Sequence, residues 1–142
     1  MQKMINTDHS KSTIIIRLMV GMVFLSEGIQ KLVFPAVRGA GRFEKVGLPY
    51  PEFLGSLVGG LEVFSGVLIL LGLFTRLASI SLIIIMFVAI ANTKLEILST
   101  DGIWEMLHAS RTDWSMLLGS IFLLLKGGGR FSMDGFIVNK RI

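Results

Sequence analysis

Glu27, Lys31 and Glu62 are ionisable side chains set in stretches of chain otherwise apolar enough to lie in lipid. An ionised group in hydrocarbon is costly, so such residues face a protein interior or a wet cavity and mark a candidate functional site. A carboxylate there can take up a proton, and an ammonium can donate hydrogen bonds to a ligand carbonyl. Glu27 stands one helical turn before Lys31, the favourable order for an ion pair along a helix, so the two are expected to neutralise each other in part. Glu62 has no such partner on its own segment, and Lys31, Lys94, His108 and Arg111 are the cations that could meet it. The candidate ligand-binding or proton-handling residues are therefore Glu27, Lys31, Glu62 and Asn92 within the apolar runs, with His108 and Arg111 at the rim.

The elements that carry these residues follow from composition. The 142 residues are 52% hydrophobic and 17% charged, with a mean hydropathy of +0.72, more apolar surface than a soluble domain of this length can bury. Four apolar runs, roughly 14–34, 53–74, 77–98 and 107–126, each approach the roughly 20 residues that cross a hydrocarbon core of about 30 Å. The fourth spans only if the polar stretch from His108 to Asp113 is helical and partly immersed, because its continuous apolar part from Trp114 to Leu125 is short. Ile83, Ile84, Ile85 and Met86 run consecutively where a barrel strand would alternate, so the runs are read as helices. The first run contains Arg17, Glu27 and Lys31 and lacks a small-residue cleavage site, which argues against a removed signal. The expected architecture is an all-α, single-domain integral membrane four-helix bundle, antiparallel, over residues 1–142.

A tight join at Thr75 and Arg76 makes the second and third runs a hairpin, whereas a longer connection from Pro35 to Glu52 links the first and second. An even number of crossings puts both termini on one side, together with Lys3, Lys11, Arg17, Arg76, Lys126, Arg130, Lys140 and Arg141. The other side holds Arg38, Arg42, Lys45 and Arg111, so the Lys/Arg bias places both termini in the cytoplasm. Arg17, Gly21, Phe24, Gly28 and Lys31 form one helical stripe, and Gly55, Gly59, Glu62 and Gly66 another. Small residues let helices approach closely, and a packing stripe alone has no need of a carboxylate. At about 1.5 Å per residue, Glu27 lies roughly 20 Å and Glu62 roughly 17 Å from the cytoplasmic ends of their runs. That depth predicts a dry cytoplasmic half built from Leu68 to Leu71 and Ile80 to Ile85, and a polar cavity toward the outer side. Trp104, Trp114, Phe53 and Tyr50 fall where an aromatic belt is expected, and Asp113 either caps the fourth helix or pairs with Arg111.

Several chemistries are excluded by what the chain lacks. Without cysteine it has no thiol–disulfide, iron–sulfur or thiolate-metal chemistry of its own. Its two histidines, His9 and His108, cannot hold an intrinsic bis-histidine haem between membrane helices. A divalent-metal set of Glu27, Glu62 and His108 has no spacing signature, so no metal site is assigned. The basic pI near 9.8 reflects topology, because no nucleic-acid-binding pattern accompanies it. Neither a nucleophile elbow nor a nucleoside-triphosphate loop is present, which weighs against an autonomous hydrolase.

The segments RLMVGMVFLSEGIQKL from Arg17 to Leu32, GLPYPEFLGSLVGGLEVFSGVLILLGLFTRLA from Gly47 to Ala78 and GGGRFSMD from Gly127 to Asp134 resemble the DoxX family of small membrane proteins. HASRTDWSMLLG, from His108 to Gly119, resembles a subgroup of that family, and Gly128 replaces a proline that its final motif often carries. The resemblance implies a four-helix membrane protein that acts as an accessory or quinone-interacting subunit of a membrane oxidoreductase system. No cofactor is expected to be intrinsic; quinone is the one implied, and the partners are the lipid bilayer and oxidoreductase subunits, with no nucleic acid. Two alternatives stay open: a non-catalytic scaffold or assembly factor whose buried charges only decide which helices meet, and a small-solute or proton transporter, for which no internal inverted repeat is visible.

Overall fold

The computed structural model describes residues 2–140, which are all-helical without a strand. In chain order the helices are α1 (Gln2–Ile5), α2 (Thr13–Val33), α3 (Ala40–Lys45), α4 (Pro51–Leu71), α5 (Thr75–Asp101), α6 (Ile103–Ala109), α7 (Arg111–Lys126) and α8 (Met133–Lys140). Among them α2, α4 and α5 are long and apolar enough to cross a membrane. α2 packs along α4, α5 along α7, and the two pairs meet through α4 with α5 and α2 with α7.

Helix ends fall where local chemistry puts them. α2 stops just before Pro35, whose ring disfavours helical geometry in the residue preceding it. α4 opens on Pro51, which needs no amide partner in the first turn, followed by Glu52 at the positive end of the helix. It closes at Gly72, whose φ of 69° is the left-handed conformation that glycine adopts without penalty. The Gly72 and Leu73 amides donate back to Ile69 and Leu68. The hairpin turn is therefore Gly72 to Phe74, not Thr75 and Arg76, which belong to the first turn of α5. α5 begins there because Asp134, from the far end of the chain, accepts hydrogen bonds from the Phe74 and Thr75 amides at 2.9 and 3.0 Å. Burial pushes the Asp134 carboxyl above the ordinary carboxylate range, opposed by those two amide bonds and by the Arg17 charge.

The fourth apolar run is not one helix from 107 to 126. It breaks at Ser110 because side chains take the terminal carbonyls of α6: the Ser110 hydroxyl donates to Met106 O at 2.7 Å, and the Arg111 guanidinium to His108 O at 2.6 Å. α7 is consequently 16 residues long, about 24 Å at 1.5 Å per residue. The connection from Pro35 to Glu52 contains α3, and α8 follows the fourth run; neither is visible in the hydropathy pattern.

The dense core, Val20, Phe24, Ile69, Ala78, Leu82, Met86, Met116 and Leu123, lies mainly in the half of the bundle nearer the termini. Ile69 and Leu82 fill the expected dry half, while Leu71 and Ile84 face outward. The glycine stripes meet where α2 crosses α4. A Cβ at Gly28 would lie 2.7 Å from both Gly59 O and Val63 N, backbone atoms that cannot swing aside. Gly28→Ala is therefore expected to lower stability by about 1–3 kcal/mol through overpacking. Gly60→Ala, whose added methyl meets nothing within 4 Å, should leave thermal unfolding in detergent unchanged; equal melting of the two variants would refute the close-approach account.

Arg17 is the tightest polar knot. Buried at 3% exposure, it donates from Nε to Ile69 O at 2.9 Å and from Nη2 to Leu70 O at 2.6 Å. Its Nη1 donates to Gly128 O at 3.2 Å and to Phe131 O. The guanidinium thus satisfies the last carbonyls of α4 and ties down the glycine-rich loop between α7 and α8. The N-terminal segment joins the same knot: Asp8 N donates to Lys126 O, Arg130 N to Ser10 O, and Gly129 N to the Thr7 hydroxyl. Both ends of the described chain therefore sit at one end of the bundle.

Candidate functional site

The half of the bundle remote from the termini encloses a cavity of about 570 Å³, within the roughly 300–1,000 Å³ of small-ligand sites. Val23, Glu27 and Lys31 line it from α2, Leu54, Val58, Leu61 and Glu62 from α4, and Ile84 to Lys94 in part from α5. α7 contributes Thr112, Asp113 and Met116, while Arg38 and Arg42 close the side of the connecting loop.

Lys31 and Glu62 meet across the α2–α4 contact, Nζ to Oε2 at 2.8 Å, with side chains 14% and 3% exposed. Their encounter follows from the glycines: Gly28 and Gly59 bring the two backbones close enough for one residue of each stripe to span the gap. The expected Glu27–Lys31 pair along α2 is not formed. Lys31 turns to the more buried carboxylate instead, because an unpaired charge costs most where water is scarcest. Glu27 is left lining the cavity without an ion pair among the described residues.

On the opposite wall Lys94 reaches Asp113 at 3.2 Å, joining α5 to α7. Asp113 therefore neither caps its helix nor pairs with Arg111. Asn92 lines the cavity and donates one amide hydrogen to Val88 O at 2.8 Å, leaving the second free. His108 and Arg111 do not line it; both are exposed, and Arg111 is occupied with the His108 carbonyl. The structure thus gathers Glu27, Lys31, Glu62 and Asn92 around one space and leaves the two rim candidates outside. With His108 away, the Glu27, Glu62 and His108 set is not assembled, and no three His, Asp or Glu side chains among the described residues come together for a metal.

Lys94, Asp113, Arg38 and Arg42 were not among the sequence-derived site residues. Lys94 did stand at the depth of Asn92 as a charge in an apolar run, and that was its signal. The arginines carried none, because only the fold of α3 brings their loop over the cavity.

Three polar capabilities coexist here. The Lys31 ammonium has two hydrogens beyond the one given to Glu62, the Asn92 amide has one, and the Glu27 carboxylate can accept a proton or a hydrogen bond. Apolar Val58, Leu61, Ile85, Val88 and Ala89 surround them. The arrangement suits a ligand with a carbonyl-bearing head and an apolar body.

Two relatives cover most of the chain. An uncharacterized membrane protein of Mycobacterium tuberculosis is 49% identical over 138 residues, covering 93% of this chain and 85% of the relative. CatD of Bacillus subtilis, whose given name proposes an oxidoreductase, is 27% identical over 133 residues, covering 93% of this chain and 91% of its own. No solved structure matches. The DoxX family model matches residues 12–95, a stretch that holds α2 through most of α5 and with them Glu27, Lys31, Glu62 and Asn92. This chain is a membrane protein and belongs to the DoxX family.

Proposed function

We propose that this chain is a quinone-interacting subunit of a membrane oxidoreductase system, with its cavity as the quinone site. The observation that carries the reading is the convergence of Lys31, Asn92 and Glu27 on one space walled by apolar side chains. Lys31 Nζ and Asn92 Nδ2 supply hydrogen-bond donors for carbonyl oxygens, and Glu27, without an ion pair among the described residues, supplies the proton acceptor. Glu62 holds the Lys31 side chain in place across the α2–α4 contact. A bound quinone would supply two-electron, two-proton redox chemistry that no side chain of this chain offers. The name of the Bacillus subtilis relative points toward oxidoreduction as well.

In this reading the chain crosses the bilayer four times, with α7 as the fourth and shortest crossing. Both termini lie in the cytoplasm, supported by Lys3, Lys11, Arg76, Lys126, Arg130 and Lys140 at the end of the bundle that carries the termini. The cavity then opens toward the outer leaflet, beneath Arg38 and Arg42.

Titration of a short-tailed quinone analogue into purified protein in nanodiscs tests the site. Saturable binding is expected, weakened about tenfold, or about 1.4 kcal/mol, by Asn92→Leu and by Glu27→Gln. Neither residue has a partner whose loss would unfold the bundle, so absence of saturable binding to the wild type would end the proposal. A scaffold reading retains one specific support, the burial of the Lys31–Glu62 pair at a helix crossing; it expects all these variants to behave alike toward quinone.

A further inference from the structure

The full burial of α5 ends partway along its length. Its buried residues are Thr75, Ala78, Ser79, Leu82 and Met86, with none from Phe87 to Asp101. α4 stays buried along its α2-facing edge, at Gly55, Gly59, Glu62, Ser65, Gly66 and Ile69. Beyond Met86 no residue of α5 is fully buried, and side chains of both helices line the cavity. Leu61, Ile84 and Val88 mark where that lining reaches the surface. Each lines the cavity, and each is also surface-exposed, at 36%, 58% and 49%.

α2 covers the other edge of α4, and α7 the other edge of α5. The slot between α4 and α5 consequently faces the outer circumference of the bundle, level with apolar side chains, where lipid tails lie when α4 and α5 cross a membrane. Its lips are Leu61 on one side and Ile84 and Val88 on the other. By contrast, Arg38 and Arg42 stand on the connecting-loop side, a charged approach ill suited to an apolar solute.

We propose that this slot is a lateral portal, through which a lipid-soluble ligand enters head first from the acyl-chain region while its apolar tail stays threaded between Leu61 and Val88. The proposal rests on the reading of the cavity as a site for such a ligand and adds the route and the ligand class. A cavity of about 570 Å³ encloses a ring headgroup and the start of a tail; a longer isoprenoid chain must leave somewhere, and the slot is the apolar exit. A water-soluble substrate has no use for it.

The chain has no cysteine, so a single engineered thiol reports without background. In nanodiscs, Leu61→Trp and Val88→Trp narrow the slot, while Phe64→Trp, exposed on α4 but not lining the cavity, is the control. The association rate of a short-tailed quinone analogue is expected to fall about tenfold in the two slot variants and to keep its wild-type value in the control, because entry is obstructed. Wild-type rates in both slot variants would overturn the portal while leaving the site intact. If the wild type binds no quinone, the underlying reading fails, and the portal is judged by a nitroxide on Ala89→Cys. Collisions dominated by dissolved oxygen, which concentrates in hydrocarbon, support an opening to lipid; collisions dominated by a water-soluble nickel chelate overturn it.

Discussion

Lys31→Met is expected to destabilise the bundle by roughly 3–5 kcal/mol, the cost of leaving a buried carboxylate without its counter-ion. A hydrogen bond between membrane helices contributes only about 0.6–2 kcal/mol, so most of the loss comes from the stranded charge of Glu62 and not from the missing contact. The double variant Lys31→Met, Glu62→Leu separates the two contributions. It removes both charges from the α2–α4 crossing and should recover stability to within about 1–2 kcal/mol of the wild type. Unfolding followed by circular dichroism in mixed micelles measures both; a double variant as unstable as the single one would show that the pair is not what Lys31 supports. The recovered variant also divides the functional readings. If it folds but no longer binds a quinone analogue, the pair serves a site; if it folds and binds as before, the pair serves only assembly.

Arg17→Met should cost at least about 3 kcal/mol, because each buried acceptor left without a donor costs about 1–3 kcal/mol and the carbonyls of Leu70, Gly128 and Phe131 lose theirs. The Ile69 carbonyl keeps the Gly72 amide. Arg17→Lys is expected to recover less than half of the loss, since one ammonium presents its donors from a single atom and cannot span acceptors held by a planar guanidinium. The readout is a lowered thermal midpoint together with faster proteolysis after Lys126, where the released loop and α8 would come free. An Arg17→Met protein that melts and resists protease like the wild type would remove Arg17 from its place at the centre of this knot.

Much of the architecture was legible because it is written in periodicity. Hydropathy marked α2, α4 and α5 to within a few residues, and the glycine stripes containing Arg17, Gly28, Gly59 and Glu62 identified the faces that meet. The carboxylates stood out because a charge in an apolar run is costly unless something in the fold receives it. What stayed hidden depends on register between distant segments. The choice of Lys31 between Glu27 and Glu62 turns on burial, and the Lys94–Asp113 pair on how α5 and α7 align. His108 and Arg111 read as rim residues with the fourth run taken as one helix; the interruption at Ser110 leaves Arg111 bonded to the carbonyl of His108. Backbone acceptors leave no trace in a sequence either, so Arg17 read as a boundary charge, and Asp134, which starts α5 from a distance, read as part of a terminal motif.

The acceptors of Arg17 also impose an order on biosynthesis. Ile69 and Leu70 lie 52 and 53 residues ahead of it in the chain, whereas Gly128 and Phe131 lie 111 and 114 ahead. While the ribosome is still translating the second hairpin, the guanidinium has only half its partners, and Thr7 and Ser10 wait for Gly129 and Arg130. The nascent protein therefore stays unlatched at this end until residues 128–131 emerge, and a stop codon ahead of them would release an insertion intermediate with an unsated arginine, a ready target for membrane quality control.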